Sequence, residues 1–238
     1  MRPSVNALWS FNGGYVDTAG FLALHGLFTS HVTGNFVTFG AALALGTSGV
    51  LAKLLALPTF CVVIVLSRTL AHRLPSPGWP VLESAVVLKI LLLSSAAAFA
   101  ITWGPFANGD APTALVTGMT LVAAMAIQNA ANRVHLSAFP PSTIMTGTST
   151  QIMIDVADLW AGSLKPEART IVLGRLRKMC VAVACFALGF GVAAMAFIRV
   201  EMKVFLLPPL IAALSLIAIV RSGKETGGAV QGKPAASG

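Results

Sequence analysis

Ser30-His31-Val32-Thr33-Gly34-Asn35 and Thr143-Ile144-Met145-Thr146-Gly147-Thr148 are two versions of one polar phrase. Each opens a hydrophobic stretch that is short and polar for a membrane span. Superposed, they pair Thr33 with Thr146 and Gly34 with Gly147, and Phe36-Val37-Thr38 then stands against Ser149-Thr150-Gln151. Upstream of each phrase a second polar cluster interrupts apolar sequence: Asn12-Gly13-Gly14-Tyr15-Val16-Asp17 in the first half, Gln128-Asn129-Ala130-Ala131-Asn132 in the second. Small and polar residues at matching points of two hydrophobic halves are the pattern of a duplicated membrane protein with a path or binding site between the halves.

The composition sets the solvent. Hydrophobic residues are 56% of the chain and charged residues 10%, with a mean hydropathy of +0.83, whereas soluble domains carry about 25% charged residues. Runs such as 54–66, 85–103, 179–198 and 204–220 approach or reach the roughly 20 apolar residues that cross a bilayer. The N-terminus reads as a first membrane helix and not as a cleaved signal, because Asn12, Gly13, Gly14 and Asp17 break its apolar run. Residues 222–238 are small, polar and charged, and read as a disordered cytoplasmic tail. The net charge of +8 sits between the hydrophobic segments, which suits lipid headgroups and argues against nucleic acid. Cys61, Cys180 and Cys185 form no CxxC and read as small buried hydrophobes; no metal and no cofactor is expected.

Eight segments follow, near 5–28, 34–48, 51–72, 79–103, 112–132, 146–163, 170–198 and 204–221, in one transmembrane domain over 1–221. Its halves are about 5–103 and 112–221. Residues 34–48 make roughly 22 Å of helix, short of a core of roughly 30 Å, and 146–163 carries Thr148, Gln151, Asp155 and Asp158. Both read as re-entrant or broken elements. If they return to the face they left, six helices span and both termini are cytoplasmic. Only Lys53, Arg199 and Lys203 then lie outside, with Lys89 inside a span. Eight full spans would move Arg68, Arg73 and Arg133 outside, so the positive-inside rule favours six. The expected fold is an all-α polytopic membrane protein of two related halves forming inverted repeats.

Gly13-Gly14-Tyr15-Val16-Asp17-Thr18-Ala19-Gly20-Phe21 followed by His31-Val32-Thr33-Gly34-Asn35 resembles a signature of the YoaK family. Ala126-Ile127-Gln128-Asn129-Ala130, Met145-Thr146-Gly147 and Thr150-Gln151 resemble that family's second signature, with Thr148 where Asn is frequent. The resemblance covers nearly the whole chain to about residue 221. It implies a polytopic bacterial inner-membrane protein and supplies no substrate.

The candidate site joins Asp17, Thr33, Gly34, Asn35, Asn129, Thr146, Gly147 and Thr148. Gly permits a sharp helix entry and close backbone approach, Thr or Asn caps orphan N–H groups, and a helix N-terminus carries about half a positive charge. Two such ends in a low-dielectric interior favour an anion or a strongly hydrogen-bonding solute; the plainer reading is capped starts and small-residue packing. Asp17, a carboxylate in an apolar span, is either a proton or substrate site or a structural acid held by Asn12, Thr18 or a helix end. An ion pair with Lys89 is a further option. His31 is a candidate proton relay. Asp155 and Asp158 share one helical face, lining a vestibule or pairing with Arg133 or Arg169.

The function these features suggest is a transporter or channel for a small polar or anionic solute, with the site between the two Thr-Gly helix starts. The alternative is a membrane scaffold or a lipid-modifying enzyme; no catalytic motif is visible, so the chain reads as a non-enzyme. Expected partners are membrane lipid, the solute and, as an open option, a second copy of the chain.

Overall fold

The path of the chain is set by where its helices are forced to stop. In the computed structural model, which describes residues 2–73, 79–143, 145–162 and 164–231, α1 (Arg2–Ala23) ends because His25 and Gly26 turn left-handed, at φ 54° and 84°. The first helix is therefore shorter than the sequence suggests. Beyond it the chain doubles back along α1 until Thr29, Ser30 and His31 lie against Asp17, about 9 Å below the helix end at 1.5 Å per residue. A 3-10 turn (Val32–Gly34) leads into α2 (Asn35–Leu45), which closes at Gly46 with φ 64°. Just beyond, the Ser48 hydroxyl hydrogen-bonds His25 Nδ1 at 3.0 Å. Residues 24–48 thus leave and rejoin the same face of the bundle.

From there α3 (Val50–Arg73) crosses and α4 (Val81–Trp103) returns. Asp110, in the loop before α5 (Pro112–His135), caps the start of α3: its carboxylate accepts the N–H groups of Gly49, Val50, Leu51 and Ala52 at 2.8–3.2 Å. The second half traces a similar path. After α5 the chain turns back, and Thr143 returns to Asn129, donating its hydroxyl to Oδ1 at 2.6 Å. α6 (Met145–Ala161) then leads into α7 (Pro166–Val200), whose early turns border the link, with Lys178 Nζ 4.9 Å from the Phe139 ring. A 3-10 segment (Glu201–Leu206) connects to α8 (Leu207–Gln231). α8 continues into the segment expected to be a disordered tail, of which 232–238 lie outside the described residues.

The packing repeats. α1 lies on α7 as α3 lies on α5, α1 on α8 as α5 on α4, and α2 on α3 as α6 on α7; α4 also meets α8, and α1 meets α5. α1 sits at the centre, and its approach to α7 depends on glycine. A Cβ on Gly14 would stand 2.2 Å from the Phe186 carbonyl oxygen, and one on Gly189 2.2 Å from that of Phe11. Small residues let backbones meet this closely. Ala96, Ala97 and Ala100 of α4 and Ala124 and Ala126 of α5 are also buried.

The outer surface matches lipid. Leu54, Val62, Val65, Leu66, Leu91, Leu188, Ile198, Leu210 and Leu214 face outward. Four helical stretches are long and apolar enough to cross a membrane: Val50–Arg73, Val81–Trp103, Pro112–His135 and Pro166–Ser222, the last taking in α7, the turn and α8. The cysteines correct their expectation. Cys61 and Cys180 are exposed and Cys185 is half-buried, because their helices turn those faces outward.

Candidate functional site

Asp17 is fully buried and is the anchor of the first hairpin. Its Oδ1 accepts the Thr29 N–H at 2.7 Å, the Thr29 hydroxyl at 3.1 Å and the Ser30 N–H at 2.8 Å. Its Oδ2 bonds His31 Nδ1. The carboxyl group thus replaces the backbone partners that the link lost on leaving the helix, and its own buried oxygens are hydrogen-bonded in return. Its partners are its own link, not Asn12 or Thr18, and it makes no pair with Lys89.

His31 also reaches the other half. Beside its bond to Asp17 it stacks edge-on with Phe28 and with Phe186 of α7, centroids 6.2 and 5.4 Å away, and lies within reach of the Thr143 backbone. Gly13 makes room for the second link on α1: a Cβ there would meet the Ser142 carbonyl oxygen at 3.0 Å and Thr143 Cγ2 at 3.1 Å. The tips of the two hairpins therefore meet around α1. Fourteen residues separate Asp17 from His31 and also Asn129 from Thr143, so each tip is tied to its own preceding helix at the same spacing.

A buried polar network lies beside the second tip. Lys89 Nζ donates to Gln128 Oε1 at 2.5 Å and lies 5.4 Å from the Trp9 ring centroid. Gln128 Nε2 donates to the Trp9 carbonyl and the Ser142 hydroxyl, both at 3.0 Å, and Trp9 Nε1 donates to Ser215 on α8 at 3.0 Å. Four elements and a link are joined by these contacts. Three side chains along α1 and the first link remain without a protein partner among the described residues: Ser10 and Ser30 at their hydroxyls, and Asn12 at both amide atoms.

The Thr-Gly pairs themselves lie off this centre. Thr33, Thr146 and Gly147 are exposed, and a Cβ on Gly147 would meet nothing within 4 Å. Gly34 is half-buried, its position backed by the Phe28 ring at 3.1 Å from an added Cβ. Asn35 is buried but makes no cap; its amide bonds both the N–H and the carbonyl of Phe28, at 2.9 and 2.8 Å, and closes the link on itself. Asn129 is half-buried, holding Thr143 and donating to the Met125 carbonyl. Thr148 is buried on α6. Asp155 pairs with Arg175 and not with Arg133 or Arg169, because Arg175 faces α6 from the next helix: Nε to Oδ2 at 2.9 Å, Nη2 to Oδ1 at 2.5 Å.

Sequence reading missed Gln128 as the partner of Lys89, and Asp110 as the cap of α3. Burial works against the Asp110 carboxylate, but the four N–H groups it accepts hold it below the usual carboxylate range. His25 Nε2 bonds the Phe106 carbonyl at 2.8 Å and Gly109 N–H bonds Ser48 at 3.2 Å, so the exit of the first hairpin is latched to this loop.

Long apolar helices around a polar centre make this an all-α membrane protein. The chain belongs to the family described as "Protein of unknown function (DUF1275)", whose model matches residues 5–219. UPF0700 transmembrane protein YoaK of Bacillus subtilis (strain 168) is 28% identical over 159 residues, covering 66% of this chain and 68% of the relative. No solved structure matches.

Proposed function

We propose that this chain is a transporter or channel for a small polar or anionic solute, which passes where the tips of two re-entrant hairpins meet. In this reading the halves are inverted repeats, six helices span, the chain lies in the bacterial inner membrane and both termini are cytoplasmic. The repeated packing supports the duplication, and the Lys/Arg distribution supports the orientation.

The observation that carries the reading is His31, one residue bonded to the acid of its own half and stacked edge-on against Phe186 of the other half, beside the other half's tip. Irregular backbone at membrane depth is tolerated where it is buried in protein or lines a cavity, and each tip is irregular. The Thr-Gly residues Thr33, Gly34, Asn35, Thr146, Gly147 and Thr148 flank this contact, and Asp17 and Asn129 hold it in place. Asp17 and His31 share a hydrogen bond and so can pass a proton between them. Unpartnered Ser10, Asn12 and Ser30 add support, since a buried polar group without a partner costs about 1–3 kcal/mol and a passing solute offers one.

Purified protein in liposomes tests this. Osmotic shrinkage and reswelling, followed by light scattering, reports entry of formate, nitrate, chloride, urea and glycerol. At least one of these enters faster than in protein-free liposomes if the reading is right. Rates equal to those of protein-free liposomes for the whole set contradict it, and a scaffold or lipid-modifying role then takes its place.

A further inference from the structure

We propose that the cleft between α6, α7 and the second link seats an anionic phospholipid, headgroup first. The cleft has a volume of about 560 Å³, within the range of ligand-sized pockets. Its walls are largely apolar, with Phe139 on the link and Met179 on α7, while Arg175 and Lys178 stand on one face of α7 and Gln151 and Thr170 add polar groups. That division of surface matches a phosphate head on a glycerol and acyl body.

Position supports the same occupant. Arg175, Arg177 and Lys178 are the last charges before the uncharged run 179–198, so the cleft, lined by the first and third of them, straddles the boundary where lipid phosphates lie. Asp155, fully buried behind Arg175, grips the guanidinium through two of its five N–H donors and leaves the rest available. The Arg175–Asp155 pair is neutral together and Asp158 also acts on Arg175, while Lys178, its Nζ 4.9 Å from the Phe139 ring, is the cation in the lining without a carboxylate partner among the described residues. Bare backbone keeps the space open: added Cβ atoms on Gly147 and Gly174, both in the lining, would meet nothing within 4 Å. The proposal does not depend on transport, and holds equally for a scaffold.

Native mass spectrometry of the full chain, exchanged into phosphatidylglycerol or phosphatidylcholine of identical acyl chains, tests it. Phosphatidylglycerol stays bound where phosphatidylcholine is lost. Lys178→Gln lowers phosphatidylglycerol affinity about five-fold, the contribution of one basic residue at an anionic lipid surface. Gly174→Leu fills the cleft from an open position and abolishes retention, while both variants melt like wild type in lipid-free detergent. Equal retention of the two lipids, or unchanged retention in both variants, overturns the proposal. Displacement of phosphatidylglycerol by millimolar inorganic phosphate also overturns it, since the site is then one for a free anion.

Discussion

Asp17 accepts four hydrogen bonds from the three residues Thr29 to His31, and an amide cannot replace it. An asparagine side chain in its place would offer one acceptor oxygen and turn an N–H₂ toward a donor, so Asp17→Asn should destabilise the fold by about 2–4 kcal/mol, read as a lower melting temperature in detergent. Any flux that survives should lose its pH dependence if Asp17 and His31 pass the proton; retained pH dependence assigns Asp17 to structure alone. Asn12 makes the opposite case. Both of its amide atoms are buried without a protein partner, so Asn12→Leu should leave the melting temperature unchanged or raise it, and still slow the flux. A variant that loses both stability and flux would show that Asn12 is a packing residue. At this scale the sequence reading stops short of the partners these residues choose. It placed Asp17 and Asn129 beside the repeated phrases, but the residues they grip are His31 and Thr143, ahead of Thr-Gly. Which residue of a tip turns inward depends on the left-handed turn at His25 and Gly26, and the long apolar run around these two residues hides where the helix ends.

Between elements, two kinds of glycine separate cleanly. Gly14 and Gly189 set the α1–α7 contact, so alanine at either forces a Cβ to 2.2 Å from a carbonyl oxygen and the helices apart; a loss of several kcal/mol is expected, at the upper end of overpacking costs of about 1–3 kcal/mol or beyond. Gly147→Ala meets no neighbour and should gain up to about 1 kcal/mol from helix propensity. Thermal melts of the three variants check the ordering. The cap of α3 is a separate element-level test. Asp110 has a folded pKa below its unfolded value, so its contribution is complete above about pH 4 and fades as pH falls through the folded pKa. Asp110→Ala should cost about 1–2 kcal/mol at neutral pH, and the gap to wild type should close in acid; a gap that widens there contradicts the capping role. Segment positions were legible because apolar runs are local signals, although α7 starts at Pro166, ahead of the expected 170. The cap was not, since Asp110 serves a helix that begins some sixty residues earlier in the chain, and neither was the Lys89–Gln128 bond across two helices.

Across the whole molecule, the central claim is two hairpins entering from opposite faces with their tips meeting at α1. The polar phrase is what suggests a duplication, because both copies carry Thr-Gly shortly after the residue that their preceding helix grips. Its consequence in space was out of reach, since which faces the short helices return to depends on contacts such as His25–Ser48 and Lys178–Phe139. Sided cysteine labelling reads those faces directly. In a chain with Cys61, Cys180 and Cys185 replaced by serine, single cysteines go in at Thr47 and Asn108, and at Ser137 and Gly162, all four exposed. A membrane-impermeant maleimide applied to sealed cells and to inverted vesicles should label Thr47→Cys and Asn108→Cys from the outside only, and Ser137→Cys and Gly162→Cys from the cytoplasmic side only. Labelling of Thr47→Cys and Asn108→Cys from the cytoplasmic side, or of Ser137→Cys and Gly162→Cys from opposite sides, would contradict the account: in the first case α2 crosses the membrane or the orientation is reversed, and in the second α6 crosses instead of returning.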